Sequence, residues 1–400
     1  MPPTIFISAG EASGEHYGAL LIAALKKRLA ASGQSEQAAS FFGMGGERMA
    51  AAGLECVVRS EEMAVMGLTE IVRHLPRIWR EYRKLKKSIR DRRPSVAVLI
   101  DFPEIHFRLA EELHRLGVPV IFFVSPQLWA WKKKRIRLVQ KYIDKMLVIF
   151  PFEEAFYRER GVEAEFVGHP LAELPLPSIS REEFANEIGL NPAKTWIGLL
   201  PGSRPKEIGD HLPTILQAAD WHFHDCLEHG HPEPQFVLPL APTLSEAQRA
   251  EVKRILANVL TRMAITVRLV DDARATLLHA RASVVASGTA TVEAALIGNP
   301  FVVVYRVSAL TFAIAKRVVK VPYVAMANLI AGKRIVPELI QSDFTAENIV
   351  QEIERLLPDG APRQSMMEEL ARVRGLLGKQ PAGGGAIDRV ATITLERIGL

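Results

Sequence analysis

The sequence contains little cysteine, no long uncharged stretch and only a small excess of one charge. Its 400 residues include two cysteines, Cys56 and Cys226, and neither belongs to a Cys-x-x-Cys pair or a His-rich cluster. A disulfide framework is therefore excluded, and a reducing cytoplasm is the expected environment. No uncharged run is long enough to span a bilayer, and no basic and then apolar leader precedes the first strand at Thr4. We therefore expect neither export nor a membrane-spanning helix.

Two motifs of common cofactor and metal chemistry are also missing. The first strand leads into Ser8-Ala-Gly-Glu-Ala-Ser-Gly-Glu-His16, which lacks the Gly-x-Gly-x-x-Gly spacing of a dinucleotide fingerprint, so hydride transfer is not supported. No Asp-x-Asp motif stands at a strand end, and the adjacent pair Asp271-Asp272 is a poor substitute. The prediction is therefore for no cofactor and no metal.

Short apolar strands alternate with helical stretches along the chain, which is typical of βαβ units and parallel sheets. The clearest strands are 4–8, 96–100, 120–124, 146–149, 165–167, 196–200, 235–240, 265–269, 283–286 and 301–305. We predict an α/β protein of two doubly wound domains that face each other across a cleft. The predicted parts are an acceptor-side domain (1–170), a Pro-rich linker (171–180), a nucleotide-sugar domain (181–345) and C-terminal helices (346–400) with room to cross back to the first domain.

Two strand ends in the second half are suited to an anion. One strand runs into Ser287, Gly288 and Thr289, where a helix begins. The N–H groups at the start of this helix and the positive end of its dipole favour a phosphate. Glu293, further along the same helix, can then bind the ribose hydroxyls. The alternative is an ordinary turn with Thr289 as the N-cap. The other strand ends at Ser203 and Arg204, whose guanidinium suits a diphosphate. Asn328 adds a polar group near a further strand end.

The first half offers a complementary set of polar groups. Asp101 follows the apolar strand 96–100, where partial burial can raise its pKa enough for it to accept a proton from a sugar hydroxyl. Its alternative role is to cap the helix that begins near Ile105. The turn after the first strand supplies candidate sugar contacts, with a tight packing turn as the alternative; these residues are Gly10, Glu11, Ser13, Gly14 and Glu15.

A Met-rich segment precedes a strongly basic helix. Methionine adapts to acyl chains, and basic residues attract anionic headgroups, although core packing and a solvated helix face are the plainer interpretations. The candidate acyl or membrane patch consists of Met63, Val65, Met66, Leu68, Ile71, Leu75 and Trp79. The neighbouring cations are Arg77, Arg80, Arg83, Lys84, Lys86 and Lys87.

Taken together, these motifs resemble the lipid-A-disaccharide synthase family, whose fold is the GT-B type with two Rossmann-like domains. The resemblance rests on nine segments in order along most of the chain. They are Ala9-Gly-Glu-Ala-Ser-Gly14, Ala64-Val-Met-Gly67, Ile100-Asp-Phe-Pro103, Ser125-Pro-Gln-Leu-Trp-Ala-Trp131, Phe150-Pro-Phe-Glu153, Phe166-Val-Gly-His-Pro170, Leu200-Pro-Gly-Ser-Arg204, Ser287-Gly-Thr-Ala290 with Glu293, and Asn328-Leu-Ile-Ala-Gly332.

The resemblance implies an inverting hexosyltransferase of lipid A biosynthesis. It implies transfer from UDP-2,3-diacylglucosamine to 2,3-diacylglucosamine 1-phosphate, giving the β-1,6 disaccharide 1-phosphate and UDP at the cytoplasmic face of the inner membrane. By the same resemblance Asp101 is the candidate base, and the UDP-binding half contains Arg204, Ser287, Gly288, Thr289, Glu293 and Asn328. Glu104 and His106 depart from the Asp and Asn more usual in the family. We expect no nucleic-acid partner, and a homodimer stays open.

Two other functions remain as alternatives. A UDP-N-acetylglucosamine 2-epimerase, or a transferase with a soluble acceptor, would share the nucleotide half of the site. A non-catalytic protein that binds nucleic acid or membrane through the basic helix is the alternative from a different class, and steep salt dependence of duplex binding would mark it.

Overall fold

The computed structural model describes residues 3–33, 39–63, 68–131, 133–261, 263, 265–319, 321–378 and 384–400. The chain forms two compact units, and each contains its own parallel sheet. The first unit comprises Met1–Glu173 and Leu377–Leu400, and the second comprises Leu174–Leu376.

The first unit is built on a sheet of seven parallel strands. They are β1 (Thr4–Ala9), β2 (Ser40–Gly45), β3 (Glu55–Arg59), β4 (Val96–Ile100), β5 (Val120–Phe123), β6 (Lys145–Val148) and β7 (Ala164–Phe166). In space they follow the order β3-β2-β1-β4-β5-β6-β7. The order reverses between β1 and β4, and ligands of open α/β sheets bind at such a switch point, beyond the carboxyl ends of the strands.

Helices cover both faces of this sheet. They are α1 (Ala12–Ala31), α2 (Glu47–Ala52), α3 (Ser60–Met63), α4 (Leu68–Arg92), α5 (Pro103–Arg115), α6 (Ile136–Tyr142) and α7 (Pro151–Arg158). Every residue of β4 is buried, as expected for a central parallel strand that is covered on both sides. This explains why 96–100 is one continuous apolar run in the sequence.

The second unit repeats the plan with six parallel strands. They are β8 (Trp196–Leu200), β9 (Gln235–Pro239), β10 (Val267–Val270), β11 (Ala282–Ala286), β12 (Phe301–Tyr305) and β13 (Glu338–Ile340). Their order is β10-β9-β8-β11-β12-β13, so the switch point lies between β8 and β11. Its helices are α8 (Arg181–Ile188), α9 (Pro205–Glu228), α10 (Glu246–Leu260), α11 (Ala273–His279), α12 (Thr289–Ile297), α13 (Ala309–Val318), α14 (Met326–Ala331), α15 (Ala346–Glu354) and most of α16 (Ala361–Gly378).

The C-terminal helices are divided between the two units. Helix α15 packs against α9 in the second unit, whereas α17 (Ala386–Glu396) packs against α1 in the first. The structure places the boundaries of the two units at Glu173 and Leu377. Within the described ranges, no helix has both the length and the apolar character needed to cross a bilayer.

Candidate active site

The polar groups predicted from the sequence gather at the switch point of each sheet. In the first unit, Glu11 follows β1 and Asp101 follows the neighbouring strand β4. In the second unit, Arg204 lies at the start of the helix after β8, and Ser287 directly follows the neighbouring strand β11. Each unit thus offers one set of chemical groups at the edge where open α/β sheets bind ligands.

Asp101 lies in a strained turn. Asp101 and Phe102 both have left-handed backbones, with φ of 51° and 50°, which cost about 1–3 kcal/mol each in residues other than glycine. Helix α5 begins at Pro103, its N-cap position is occupied by Phe102, and no side chain caps it. Asp101 therefore does not have the capping role that was its structural alternative, and the strain points to function.

The surroundings of the Asp101 carboxylate favour its protonated form. Burial, followed by the negative charges of Glu11 and Glu104, raises the pKa of Asp101 from 3.8 to about 7, although the Phe102 N–H donates to the carboxylate and opposes the shift. A carboxylate with a pKa near the working pH is suited to accept a proton and to release it again. The role of Asp101 as the base stays a prediction.

Two residues in the turn after β1, Gly10 and Glu15, make contacts within the first unit. A Cβ atom on Gly10 would overlap the Phe102 ring, so glycine here makes room for that ring. Glu15 Oε1 accepts from the Arg48 N–H at 2.9 Å, in the first turn of α2. These contacts give Gly10 and Glu15 roles within the fold, and the sugar contacts predicted for them stay predictions.

The other three members of the predicted sugar set differ from these two. The side chains of Glu11 and Ser13 make no hydrogen bond among the residues the structure describes. A Cβ on Gly14 would meet its nearest atom, the Ile100 oxygen, at an ordinary 3.5 Å, so space does not require glycine there. Glu11 and Ser13 therefore remain the ligand candidates of this turn.

The turn after β11 has the form of an anion site. Gly288 has φ 149° and ψ −158°, a conformation that is essentially restricted to glycine, and it occupies the N-cap of α12. No side chain caps this helix, and Thr289 is its first residue and not the cap. The exposed N–H groups and the positive end of the helix dipole are thus available to a phosphate.

Glu293 lies one turn further along α12. It is half-buried, and burial raises its pKa above 4.5, with Asp272 adding to the shift and Arg274 opposing it. Its carboxylate makes no hydrogen bond to any other part of the chain that the structure describes. A carboxylate that is desolvated without being paired inside the fold can still accept hydrogen bonds from a polyol such as ribose.

Arg204 is the exposed cation of the second strand end. It occupies the N-cap position of α9, and its Nη1 lies 3.4 Å from Glu207 Oε1. The Ser203 N–H lies at the same distance from Glu207 Oε2. These are long, weak contacts by hydrogen-bond standards, so an incoming diphosphate can compete for both donors.

His211 holds this strand end in place, and sequence analysis did not find it. Its Nδ1 donates to the Pro201 carbonyl at 2.7 Å, and its Nε2 accepts from the Arg306 N–H at 3.0 Å. The turn before Arg204 is thereby tied to the residue after β12. The only signal in the sequence was a histidine inside a helix, and its partners are backbone atoms that only the fold brings near.

Asn328 does not have the ligand role predicted for it. It is fully buried, and its amide oxygen accepts from the N–H groups of Ile335 and Val336 at 2.7 and 2.9 Å. Its Nδ2 donates to the Val336 carbonyl at 3.0 Å and to Glu338 at 2.8 Å. All its hydrogen-bonding capacity is therefore spent inside the second unit, which leaves none for UDP.

The predicted membrane patch is only partly described. Met63 is buried in the core of the first unit, which corrects its assignment to an exposed patch. Val65 and Met66 lie outside the described residues, and Leu68, Ile71 and Leu75 are described only as backbone of α4. Trp79 is 48% exposed, stacks on Tyr82 at 5.5 Å and has the Arg83 guanidinium 5.4 Å from its ring.

Most of the basic side chains around this patch are paired. Arg80 and Lys84 bind the buried Glu81, Lys86 binds the buried Glu112, and Arg77 lies 3.8 Å from Glu62. Arg83 and Lys87 make no ion pair with the described part of the chain. The cations available to a membrane are therefore fewer than the sequence suggests.

Two of the sequence motifs build one buried cluster. Trp129 Nε1 donates to Glu153 Oε1 at 3.0 Å, and the Phe150 N–H donates to Glu153 Oε2 at 3.1 Å. Burial raises the pKa of Glu153 to about 8. Glu153 thus connects the loop after β5 to the start of α7.

The acidic pair Asp271-Asp272 also has partners inside the fold. Asp271 accepts from Arg249 at 2.5 Å, and Asp272 caps α11 by accepting from the Ala275 N–H at 2.8 Å. In the portion of the chain that the structure describes, no three His, Cys, Asp or Glu side chains converge as a metal site would require.

The fold is shared with solved structures of a glycosyltransferase and of an epimerase. A glycosyltransferase of kitacinnamycin is 16% identical with a TM-score of 0.62 over 99% of both chains. A UDP-GlcNAc 2-epimerase from Neisseria meningitidis, solved with UDP-GlcNAc, is 14% identical with a TM-score of 0.58 over 98% of this chain and 99% of its own. The predicted class, two parallel-sheet α/β domains of the GT-B type, is confirmed.

The chain belongs to the lipid-A-disaccharide synthase family. The family model described as lipid-A-disaccharide synthetase matches residues 5–380. The lipid-A-disaccharide synthase of Acidobacterium capsulatum is 59% identical over 99% of this chain and 96% of its own length. That of Koribacter versatilis is 48% identical over 98% of both. The predicted family and the predicted class of enzyme, a glycosyltransferase of lipid A biosynthesis, are confirmed, and epimerases share the fold alone.

Proposed function

We propose that the chain performs the transfer named by its family with Asp101 as the general base and the strand ends of the second unit as the UDP site. The donor is UDP-2,3-diacylglucosamine and the acceptor is 2,3-diacylglucosamine 1-phosphate. The products are the β-1,6-linked lipid A disaccharide 1-phosphate and UDP. The observation that carries the proposal is Asp101 itself, held in a strained turn at a switch point with a pKa of about 7.

The reaction requires one proton acceptor and one stabilised leaving group. The acceptor hydroxyl oxygen attacks the anomeric carbon on the face opposite UDP, which inverts that carbon, and its proton passes to the Asp101 carboxylate. The bond between the anomeric carbon and UDP breaks as the new bond forms, and UDP leaves with the electron pair. UDP needs no proton, but its developing negative charge must be stabilised by fixed donors.

The second unit supplies these donors. The Arg204 guanidinium and the Ser203 N–H are assigned to the diphosphate, because both are at a strand end and only weakly engaged by Glu207. The uncapped start of α12, from Ser287 through Gly288 to Thr289, is assigned to the phosphates as well. Glu293 is assigned to the ribose hydroxyls. In this proposal protein dipoles and Arg204 replace a divalent ion.

The turn after β1 is assigned to the acceptor sugar. Glu11 and Ser13 retain free polar atoms, and Glu11 lies near enough to Asp101 for its charge to raise the pKa of that carboxylate. Sugar hydroxyls bound here would be close to the base. Gly10 and Glu15 support this turn from within the fold.

A disaccharide assay with and without EDTA tests the proposed reaction. Purified protein mixed with the donor and the acceptor 1-phosphate is expected to form the disaccharide at the same rate in both conditions, because no step in the proposal uses a metal. Epimerisation of UDP-N-acetylglucosamine, measured in parallel, should be absent. Product that disappears with EDTA and returns with added Mg²⁺ would contradict the metal-free mechanism.

The exposed face around Trp79 supports work at a membrane surface. An amphipathic aromatic ring beside Arg83 combines an apolar surface with positive charge that is in no ion pair among the described residues, which suits an interface rich in anionic lipid. We therefore infer that the enzyme binds peripherally to the cytoplasmic face of the inner membrane through the part of α4 that carries Trp79 and Arg83.

Substituting Trp79 with Ser is expected to weaken binding to vesicles of anionic phospholipid about tenfold, because an indole side chain contributes roughly 1–2 kcal/mol at an interface. Trp221 provides a matched control, since it is also 48% exposed but lies on α9 of the second unit. Trp221→Ser should bind vesicles like the wild type. Equal binding by all three proteins in a sedimentation assay would remove this face from the membrane contact.

A further inference from the structure

His106 lies directly behind the turn that carries Asp101. It is fully buried in the first turns of α5, with its Nδ1 2.5 Å from the Asp101 carbonyl oxygen and its Nε2 2.9 Å from Ser8 Oγ. Its ring packs edge-on against Phe102 and Phe122. One side chain thus connects the end of β1, the end of β4 and the start of α5.

The partners of His106 determine its protonation state. A backbone carbonyl can only accept, so Nδ1 carries the proton and donates to Asp101. The ring is then neutral, and its Nε2 accepts from the Ser8 hydroxyl. Burial also lowers the pKa of His106 to about 4, which agrees with a neutral ring. The result is an ordered chain of donors from Ser8 through His106 to the Asp101 carbonyl.

This chain acts on the peptide group that holds the carboxylate. The Asp101 carbonyl and the Phe102 N–H belong to one planar peptide unit. His106 binds the carbonyl side of that unit, and the N–H on its other side donates to the Asp101 carboxylate. Rotation of the peptide would break both contacts, and the left-handed φ values of Asp101 and Phe102 supply a reason for it to rotate.

We propose that His106 is a positioning residue for Asp101: it fixes the Asp101–Phe102 peptide and so aims the carboxylate at the acceptor hydroxyl. The proposal rests on the proposed role of Asp101 as the base. Misplacement of a catalytic group by about 1 Å can cost about 10²-fold in rate, so loss of this contact should reduce kcat and leave binding of the donor in the second unit largely intact.

Three variants separate positioning from plain packing. His106→Leu removes both polar contacts. His106→Asn keeps a donor at the same number of bonds from the backbone, because Asn Nδ2 corresponds to His Nδ1, and loses the contact to Ser8 and the ring packing. Ser8→Ala keeps the imidazole and its bond to the Asp101 carbonyl but removes the hydroxyl that donates to Nε2.

We expect His106→Leu to lower kcat about 10–10²-fold with KM for the UDP-sugar within about threefold of wild type. His106→Asn should recover most of this loss, and Ser8→Ala should show a smaller loss in kcat. Similar kcat values for His106→Leu and His106→Asn, or equal changes in kcat and KM, would overturn the proposal. If His106→Leu does not fold, the same comparison of kcat and KM in His106→Asn and Ser8→Ala tests the proposal. An unchanged kcat in Ser8→Ala would then count against the positioning role of His106.

A double-mutant cycle keeps this result distinct from the proposed function. In an Asp101→Asn background, His106→Leu should have little further effect, because a residue that acts through Asp101 has nothing left to position. Full additivity would overturn the positioning role even if Asp101 is the base. Near-normal turnover of Asp101→Asn alone would instead refute the proposed function.

Discussion

Asp101→Asn is expected to lower kcat about 10²–10⁴-fold with little change in KM, since the amide cannot accept the proton of the acceptor hydroxyl. The substitution preserves size, and its amide oxygen can still accept from the Phe102 N–H. Asparagine also tolerates the left-handed conformation that this position requires, with φ of 51°. The loss should therefore come from chemistry and not from misfolding, and steady-state rates of disaccharide formation measure it.

Asp144 offers a matched control for this substitution. It lies in the same unit, and its carboxylate accepts from the Val120 N–H at 2.8 Å. Asp144→Asn keeps an acceptor for that bond, so its kcat should stay near the wild-type value. If Asp101→Asn retained a kcat within about threefold of wild type, Asp101 would be a structural residue of the turn and the proposed base would lie elsewhere.

Arg204→Ala is expected to lower kcat/KM for the UDP-sugar about 10²-fold. Hydrogen bonds to charged groups contribute about 1.5–3 kcal/mol, and a donor aimed at developing negative charge stabilises the transition state more than the ground state. Both kcat and KM should therefore change. Arg204→Lys should recover part of the activity, because it restores the charge without the planar fork of donors.

Arg254 is the control for this prediction. It also lies in the second unit, is exposed, and pairs with a glutamate three residues away, Glu251, as Arg204 does with Glu207. Arg254→Ala removes an equivalent surface ion pair and should leave kcat/KM unchanged. A loss of the same size in both variants would attribute the effect to general electrostatics and not to a diphosphate contact.

The sequence predicted the central strands well because they are covered on both faces. Strands β4 and β11 are fully buried; β4 appears as an uninterrupted apolar run, and β11 has a single polar residue, Ser283. Strands β2, β3 and β13 were missed. The first contains two glycines, the second is partly exposed at the sheet edge, and the third has only three residues, so none shows a clear periodic signal.

The sequence pointed to the candidate site residues that stand directly after a predicted strand. Asp101, Arg204 and the Ser287–Thr289 turn follow predicted strands, and carboxyl ends of parallel strands form ligand sites. Asn328 and Glu15 carry the same kind of signal, but the fold gives them internal partners. Whether a polar side chain has a free hydrogen-bonding group depends on atoms that only the tertiary structure brings near.

Two buried histidines have roles in the fold that the sequence did not predict. His106 and His211 each bind a backbone carbonyl next to a strand end, and the other contact of each reaches 98 or 95 residues along the chain. No local pattern encodes such a contact. The assignment of Met63 to the acyl or membrane patch was wrong for a related reason, since an apolar run next to a basic helix does not reveal which residues face the core.

The pH dependence of kcat, measured in the presence of EDTA, tests the central claim most directly. The base must be ionised to accept a proton, and burial raises the pKa of Asp101 to about 7. Turnover should therefore rise about tenfold per pH unit below that value and level off above it. A rate that stays constant from pH 5 to 8, or a loss of all turnover in EDTA, would contradict catalysis by Asp101 without a metal ion.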